Sequence, residues 1–295
     1  MKTEAADPAL ADIDRWPTER AIEAMLDGQR QAIEAIASQT GTLADAAEAA
    51  ALRLGETGRL AYAGAGTSGR VGVQDGVELT PTFGWPEARL AFFIAGGEAA
   101  LMRAVEGAED DAGAGAAEVA AAGFGPSDVL IGVAASGRTP YTISAIEEAR
   151  ARGSLTIALA SNPGSALLEA ADYAILLDSG SEAVAGSTRM KAGTAQKAAL
   201  NLLSTAIMLR MGLVYRGLMV DMQITNAKLL ERAVRMVADI ASVRDDIARD
   251  ALVDADRNIR LAVLLALGLD MADARATLSH GPQAFAQLVD ERRGS

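Results

Sequence analysis

Two glycine- and hydroxyl-rich turns contain residue types that can bind a phosphate group. The first is Gly64-Ala-Gly-Thr-Ser-Gly-Arg, and the second is Ala134-Ala-Ser-Gly-Arg-Thr-Pro. Glycine lets the backbone approach an anion, and a helix that begins at such a turn presents free N–H groups and the positive end of its dipole. Either turn alone could be an ordinary capped helix start, but two of them after strands of one sheet favour phosphate recognition. The candidate ligands are Gly66, Thr67, Ser68, Ser136, Gly137 and Thr139.

A third polar segment combines hydroxyl groups with cations where a long apolar helix is predicted to begin. It reads Glu182-Ala-Val-Ala-Gly-Ser-Thr-Arg-Met-Lys-Ala-Gly-Thr-Ala-Gln-Lys. Ser187 and Lys191 are its candidate ligands for a phosphorylated substrate. An N-capped helix start with solvated charges explains the same residues equally well, so both interpretations stay open at this point.

Two acidic segments contain carboxylates that are able to exchange protons with a substrate. Glu78 follows Asp75-Gly-Val and is predicted to lie at the C-terminal end of a helix that begins at Gly69, where the helix dipole disfavours a negative charge. Glu109 lies in Glu106-Gly-Ala-Glu-Asp-Asp, and such acidic runs are usually solvated loops. From the residues alone, a solvated carboxylate is therefore the favoured interpretation at both positions.

The glycine turns do not fit the common nucleotide-binding patterns. Residues 64–69 satisfy GxGxxG, but the following strand ends in Ala95-Gly-Gly and not in the acidic residue that would bind a ribose. The lysine of a Walker sequence is also absent from the turn. A dinucleotide or nucleoside triphosphate is therefore disfavoured as the ligand.

The composition excludes several classes of protein. There is no cysteine and a single histidine, His280, which excludes disulfides, thiolate catalysis and multi-histidine metal centres. The net charge of −12 repels nucleic acid and anionic lipid, so a phosphate site must rely on local dipoles and hydroxyl groups. The N-terminal segment lacks the apolar core of a signal peptide, and no apolar run approaches the roughly 20 residues that span a bilayer. We therefore predict a cytoplasmic protein without nucleic-acid or membrane partners.

The pattern of apolar segments predicts the elements that position these turns. Short apolar runs predict five strands, at residues 60–63, 89–95, 128–134, 155–160 and 173–177. Helical patterns separate most of them, which is typical of an α/β fold with a parallel sheet covered on both faces. Ligands bind such sheets at the carboxyl ends of the strands, where both glycine turns lie.

Helical patterns precede and follow this sheet. We divide the chain into N-terminal helices (residues 1–55), a core that carries the candidate phosphate-binding turns (56–216) and a C-terminal helical region (217–295). The predicted C-terminal helices cover residues 191–211, 221–247, 250–267 and 271–288. Because residues 191–211 and 262–267 are very apolar for the surface of a lone monomer, we predict a homodimer with two-fold symmetry.

Taken together and in the same order, these segments resemble the N-acetylmuramic acid 6-phosphate etherase family, which is built on a sugar isomerase (SIS) domain. The segments that carry the resemblance are residues 64–70, 78 with 81–84, 106–110, 134–141, 186–197 and 218–226. Residues 186–197 and the Glu78 segment are the specific ones, because many SIS proteins share the glycine turns. The resemblance implies a three-layer sandwich with a five-stranded parallel sheet and a C-terminal helical tail.

The resemblance also implies an activity. Members of this family are carbon–oxygen lyases that remove the lactyl ether from N-acetylmuramic acid 6-phosphate, giving N-acetylglucosamine 6-phosphate and D-lactate in peptidoglycan recycling, and no metal or organic cofactor is implied. The family's two catalytic glutamates match Glu78 and Glu109, and its phosphate-binding hydroxyls match Ser68, Ser136 and Thr139. We expect Glu78 to protonate the ether oxygen and Glu109 to act on the C2 proton or on water.

Two other functions fit a chain of this kind. SIS domains also serve as non-catalytic sugar-phosphate sensors, and others isomerise sugar phosphates or act as paralogous lyases. The presence of both glutamates favours an enzyme, and no basic patch or helix-turn-helix segment suggests a transcriptional regulator. Ala134 occupies a position where many sugar isomerases have serine, which argues against isomerisation.

Overall fold

The computed structural model describes residues 2–293, which form two compact units. The first unit contains the chain up to Val77 together with Glu87–Ile207. The second contains Glu78–Pro86 and the chain from Met208 onward. The short segment Glu78–Pro86 thus belongs to a unit whose remaining residues come much later in the chain. The three-part division made from the sequence stays a prediction.

The first unit is built on a five-stranded parallel sheet, as predicted. Its strands are β1 Leu60–Gly64, β2 Leu90–Ile94, β3 Val129–Val133, β4 Leu155–Ala160 and β5 Tyr173–Leu176. They lie in the order β2-β1-β3-β4-β5, and every neighbouring pair is parallel. Every residue of β1, β3 and β4 is buried, because helices cover both faces of the sheet. Gly64 pairs with Ile94 of β2 and with Val133 of β3, which aligns the carboxyl ends of these three strands.

The helices are numbered along the chain. They are α1 Thr18–Ala37, α2 Thr40–Leu54, α3 Gly66–Val77, α4 Leu79–Phe83, α5 Ala99–Met102, α6 Ala112–Ala121, α7 Pro140–Ala151, α8 Ala166–Ala170, α9 Lys191–Arg210, α10 Ala227–Ala241, α11 Asp245–Asp254, α12 Ile259–Ala266, α13 Met271–Ser279 and α14 Pro282–Arg293. The predicted helical tail after the sheet is therefore confirmed.

Small residues let the helices of the first unit pack closely. A Cβ atom on Gly115 of α6 would lie 2.2 Å from the backbone oxygen of Tyr141 on α7. No side chain fits at that distance, so the glycine sets how closely α6 approaches α7. The alanine-rich composition has the same effect elsewhere in this core, where Ala61, Ala145 and Ala158 are fully buried.

Helix bounds in the second unit differ from the prediction at several points. The helix predicted at residues 221–247 begins only at Ala227, where the Asn226 side chain accepts a hydrogen bond from Leu229 N at 3.0 Å. It ends at Ala241, because the next residue, Ser242, adopts a left-handed conformation with φ 56°. The helix predicted at residues 250–267 is interrupted by left-handed Asp256 and Arg257.

Two further predicted helices end at other residues in the structure. The helix predicted at residues 271–288 is two helices, separated by Gly281 with φ 89° and by Pro282, the first residue of α14. The helix predicted to begin at Gly69 begins instead at Gly66 and ends at Val77. Glu78 therefore does not end that helix but immediately precedes α4.

The second unit has its own core. It includes Ala262, Val263 and Leu264, so the apolar run at residues 262–267 is largely buried within the chain and is not a surface for a second copy. The rings of Tyr215 and Phe285 pack edge to face with centroids 5.5 Å apart. Arg260 is only 7% exposed, and its guanidinium donates to both carboxylate oxygens of Asp221, at 2.7 and 2.5 Å. Gln223 N donates to the backbone oxygen of Pro81 at 3.1 Å, which joins the early segment to the late one inside this unit.

Candidate active site

The first glycine turn joins β1 to α3 by a very close backbone approach. A Cβ atom on Gly64 would lie 2.9 Å from Gly69 N, and one on Gly69 would lie 2.9 Å from Gly64 O. Both positions therefore require glycine. Gly66 opens α3 with a positive φ of 53°, is exposed, and would meet no atom within 4 Å if it carried a Cβ. The N-terminal end of a twelve-residue helix is thus open to a ligand at the carboxyl edge of the sheet.

A cavity of about 400 Å³ lies beside this helix start. Gly66 and Arg70 of α3 line one side of it, and Arg103, Glu106 and Glu109 from the segment after β2 line another. The structure thus brings together two of the predicted site residues, Gly66 and Glu109, that lie far apart in the sequence. A cavity of this size is typical of sites for small molecules.

The acidic run that contains Glu109 divides into residues with different surroundings. Asp111 has a structural role, because its side chain accepts a hydrogen bond from Ala114 N at 2.9 Å and caps α6. Glu106 and Glu109 are exposed and line the cavity. Glu109 lies on the 3-10 turn Ala108–Asp110, directly after left-handed Gly107 with φ 70°. The run is therefore not simply a solvated loop.

Glu78 belongs to the second unit, where it is an exposed residue at the start of α4. Its backbone oxygen accepts a hydrogen bond from Thr82 N at 3.2 Å. The turn is closed by Gly84, which is left-handed with φ 65°, and by Thr80, whose hydroxyl donates to Trp85 O at 2.8 Å. The side chain of Glu78 is therefore presented to solvent on a well-defined backbone.

The second glycine turn joins β3 to α7. The hydroxyl of Ser136 accepts a hydrogen bond from Arg138 N at 3.1 Å, and Gly137 is left-handed with φ 65°. Thr139 is the N-cap residue of α7, but its side chain makes no capping hydrogen bond. A Cβ atom on Gly137 would lie 2.1 Å from Ser165 Oγ, which is buried and has no hydrogen-bond partner among residues 2–293. Ser136 and Thr139 therefore keep hydroxyl groups at this turn that do not cap α7, whereas the Ser165 hydroxyl is buried against Gly137.

Ser68 and its neighbour Thr67 lie on the first turn of α3. The Ser68 hydroxyl is buried and donates to Gln196 Oε1 of α9 at 3.0 Å, so it joins two helices. Within the described part of the chain, Gln196 Nε2 is buried without a partner. Thr67 is half-buried, and its methyl group would lie 3.4 Å from a Cβ on Gly193 of α9. The start of α3 is thus packed against the segment that the sequence singled out after Gly186.

Lys191 is held inside the first unit. It is 7% exposed, and its ammonium group donates to Gln31 Oε1 at 2.9 Å and to Ser181 O at 3.0 Å. Its aliphatic part packs on Gly28 of α1, where a Cβ atom would approach Lys191 Cδ to 3.1 Å. These contacts join α1 to the start of α9. Ser187, the other candidate of this segment, is half-buried in the turn before α9.

Glu182, which opens the third polar segment but was given no role from the sequence, fixes the start of α9. Glu182 is 1% exposed, and its two carboxylate oxygens accept from Lys191 N at 2.9 Å and Ala192 N at 3.0 Å. A carboxylate at a helix N-terminus interacts favourably with the helix dipole. Because Glu182 lies nine residues before its partner, local capping patterns could not reveal it.

A second buried network that the sequence did not reveal lies at the other end of α3. Asp75 accepts a hydrogen bond from the Tyr62 hydroxyl at 2.8 Å and another from Asn201 Nδ2 at 2.5 Å. Burial, and then the charge of Asp75 and the hydrogen bond to it, raise the pKa of Tyr62 well above its ordinary value. The tyrosine therefore stays protonated and keeps donating. This network fixes the last turn of α3, three residues before Glu78.

The described residues contain neither a metal-binding cluster of side chains nor a helix that could span a membrane. Within residues 2–293, no group of three or more histidine, aspartate or glutamate side chains is arranged to hold a metal ion. Over the same range, no helix combines the length and the apolar character needed to cross a bilayer.

Comparisons of families and folds agree with this architecture. The family model of the glucokinase regulatory protein N-terminal SIS domain matches residues 23–150, and the SIS domain model matches residues 114–206. The solved structure of a Bacteroides fragilis protein, assigned as a phosphosugar isomerase involved in capsule formation, matches with a TM-score of 0.52. That match covers 68% of this chain and 95% of the other at 18% identity, so it concerns the fold alone. The predicted SIS-type sandwich is confirmed.

Curated relatives are similar over nearly the whole chain. A protein from Deinococcus radiodurans is 50% identical over 98% of this chain and 95% of its own length. One from Cronobacter sakazakii is 44% identical over 95% of this chain and 94% of its own. Both are named N-acetylmuramic acid 6-phosphate etherase. Identity at this level along both chains confirms the resemblance found in the sequence, and the chain belongs to the N-acetylmuramic acid 6-phosphate etherase family.

Proposed function

We propose that this protein cleaves the lactyl ether of N-acetylmuramic acid 6-phosphate, releasing D-lactate and N-acetylglucosamine 6-phosphate during peptidoglycan recycling. The observation that supports the site most directly is the cavity of about 400 Å³ that brings Glu109 beside the open start of α3. The family to which the chain belongs supports the choice of substrate. The reaction class is that of a carbon–oxygen lyase.

The phosphate is held by N–H groups and hydroxyls in this proposal. The chain carries a net charge of −12, so long-range attraction of an anion is not available. The N-terminal ends of α3 and α7 supply local positive potential at the carboxyl edge of the sheet. Thr67, Ser136 and Thr139 supply hydroxyl groups there, and Gly66 and Gly137 let the backbone approach. Ser187 remains a candidate ligand, while Ser68 and Lys191 support the site through the contacts that hold α9.

The proposed reaction is an elimination followed by a hydration. Opening of the sugar ring to the aldehyde makes the C2 proton acidic, and Glu109 removes it. The C3–O bond breaks, its electron pair leaves with the ether oxygen, and Glu78 protonates that oxygen as D-lactate departs. Water then adds to the C2–C3 double bond, with oxygen at C3 and a proton at C2. Each half-reaction uses one proton donor and one acceptor, and a pair of carboxyl groups supplies both.

Isotope labelling tests this sequence of bond changes. The protein is incubated with N-acetylmuramic acid 6-phosphate in H₂¹⁸O and in ²H₂O, and D-lactate is measured enzymatically. The proposal requires lactate without ¹⁸O, a sugar product with ¹⁸O at C3, and deuterium at C2. Label in lactate would show cleavage on the lactyl side and refute the mechanism. Binding without turnover would indicate a sensor, and conversion to a ketose phosphate would indicate an isomerase.

We also propose that the protein is a cytoplasmic homodimer. Several large apolar side chains of the first unit are exposed in the single chain, at Ile22, Leu26 and Ile33 of α1 and Leu202 of α9. Burying these side chains against a second copy would remove apolar surface from water. Light scattering at micromolar concentration should give the mass of two chains, and a monomer at that concentration would refute the dimer.

A further inference from the structure

The proposed substrate carries two acidic groups, and the phosphate accounts for only one. The other is the carboxylate of the lactyl group, which the sugar product lacks. An acidic chain that binds this carboxylate needs a local cation, because its overall field repels anions. Two arginines, Arg70 and Arg103, line the cavity that contains Glu109.

Arg70 is held in place by the backbone of the segment that follows β2. Its Nε atom donates to Leu101 O at 3.1 Å, and its Nη2 atom donates to Arg103 O at 3.3 Å. These bonds occupy the side edge of the guanidinium and use two of its five N–H donors. The end formed by Nη1 and Nη2 keeps three donors, in the planar geometry that suits a bidentate carboxylate.

The positive charge of Arg70 is not neutralised by the protein. The acceptors of its hydrogen bonds are neutral carbonyl oxygens, although Glu106 and Glu109 line the same cavity. Within residues 2–293, neither Arg70 nor Arg103 forms an ion pair with an acidic side chain. Arg70 is half-buried, and a partly buried unpaired cation is unfavourable unless an anion accompanies it. The cavity therefore suits an anionic ligand on its arginine side.

We infer that Arg70 binds the lactyl carboxylate through the Nη1–Nη2 end of its guanidinium, with Arg103 adding positive charge at the exposed rim. This inference rests on the proposed function and identifies Arg70 as a specificity-determining residue. The two anionic groups of the substrate then bind at different places, since the glycine turns bind the phosphate and the arginines bind the lactyl carboxylate. It also places the carboxylate in the cavity that holds Glu109, the proposed base.

The inference is tested by assaying two proteins, each with two substrates. Wild type and Arg70→Gln are each assayed with N-acetylmuramic acid 6-phosphate and with its lactyl amide, which keeps the shape but loses the charge. We expect wild type to prefer the acid by about 10- to 100-fold in kcat/KM, which is the range for a hydrogen-bonded charged pair. In Arg70→Gln this preference should shrink to within about three-fold. Arg70→Lys should keep part of it, because lysine retains the charge but not the fork.

Control variants separate specificity from loss of structure. Arg152→Gln removes a guanidinium at the C-terminal end of α7, where its partner is Glu148, and should leave both substrates unaffected. Inhibition by N-acetylglucosamine 6-phosphate, which has no carboxylate, should be the same in Arg70→Gln as in wild type. A purely structural role for Arg70 would instead weaken that inhibition and slow both substrates equally, which would overturn the inference.

If Arg70→Gln does not fold, assays of the wild-type protein and of Arg103→Gln still test the inference. Equal turnover of the acid and the amide by wild type would overturn the inference while leaving the proposed etherase activity intact. The inference would be supported if wild type strongly preferred the acid to the amide and Arg103→Gln lowered that preference only in part. Failure of wild type to release lactate from N-acetylmuramic acid 6-phosphate would refute the proposed function itself, so the two failures are distinguishable.

Discussion

Replacing Asp128 with asparagine tests how the central strands are held together. The Asp128 side chain accepts hydrogen bonds from Arg59 N at 2.8 Å, Arg59 Nε at 3.2 Å, Arg59 Nη2 at 2.6 Å and Gly125 N at 2.9 Å. It thereby joins the residue before β1 to the residue before β3. Asparagine keeps one oxygen but presents an N–H₂ group to donors that need an acceptor.

The expected loss of folding stability in Asp128→Asn follows from the burial of the Asp128–Arg59 pair and from the number of hydrogen bonds that Asp128 accepts. Asp128 is 9% exposed and Arg59 is 28% exposed at their side chains, so solvent screens this pair only partly. Hydrogen bonds to a charged group contribute about 1.5–3 kcal/mol each, and breaking a buried pair costs about 3–5 kcal/mol. Because Arg59 can still reach solvent and the backbone oxygens of Ala122 and Gly123, we expect Asp128→Asn to cost about 2–3 kcal/mol.

The same carboxylate should make stability depend on pH in a defined direction. Burial alone would raise the pKa of Asp128, but the hydrogen bonds from Arg59 and Gly125 and the charge of Arg59 outweigh burial and lower it. A lowered native pKa means that the stabilisation is complete above the pKa of the unfolded chain, about 3.9, and is lost as pH falls through the native pKa. Asp128→Asn should therefore lower stability at pH 7, and its difference from wild type should shrink in acid.

Urea unfolding followed by circular dichroism measures both effects. Asp246→Asn is a matched control, since the pKa of Asp246 is also lowered, first by its hydrogen bond to Arg244, but the pair is fully exposed. Exposed pairs contribute little, so this variant should unfold like wild type. If Asp128→Asn unfolds at the same urea concentration as Asp246→Asn, the argument from burial is wrong.

Four further variants test the site and the packing. Glu78→Gln and Glu109→Gln should each lower lactate release by about 10²–10⁴-fold without loss of fold, because glutamine cannot exchange a proton. Activity within about three-fold of wild type would exclude acid–base catalysis by that residue. Ser136→Ala should raise KM more than it lowers kcat, by about ten-fold or more for one bond to a charged phosphate; unchanged kinetics would make this turn only a helix cap. Gly115→Ala should lower the thermal midpoint, at a cost of about 1–3 kcal/mol, because its Cβ would lie 2.2 Å from Tyr141 O. An unchanged midpoint would show that α6 moves away without penalty.

The sheet and the turns at its edge could be predicted because their signals are local. Continuous apolar runs marked all five strands, and the glycines of residues 64–69 marked the turn that opens α3. Breaks between the later helices were missed where Ser242, Asp256 and Arg257 adopt left-handed conformations without being glycine. Polar side chains at these positions do not identify a break, since the same residues are common on exposed helix faces.

At the candidate site, the sequence could not predict side-chain partners that lie far apart in the chain. Lys191 looked like a free cation at a helix start, but it is bonded to Gln31, which precedes it by 160 residues. Arg70 was part of a quoted motif, yet nothing local indicated that it would meet the backbone of Leu101 and line the cavity with Glu109. The residue types at the site could be predicted from the sequence, whereas their tertiary contacts could not.

The early position of Glu78–Pro86 in the chain has a consequence for synthesis of the protein. This segment leaves the ribosome between α3 and β2. The backbone oxygen of Pro81 accepts a hydrogen bond from Gln223 N, but Gln223 is made more than a hundred residues later. At elongation rates of about 5–20 residues per second that interval is on the order of 10 s. The nascent sheet can assemble in that time, while α4 must wait for its partners. Leu79, Phe83 and Trp85 of this segment are all buried in the finished protein, so they are apolar side chains that a chaperone can bind during this interval.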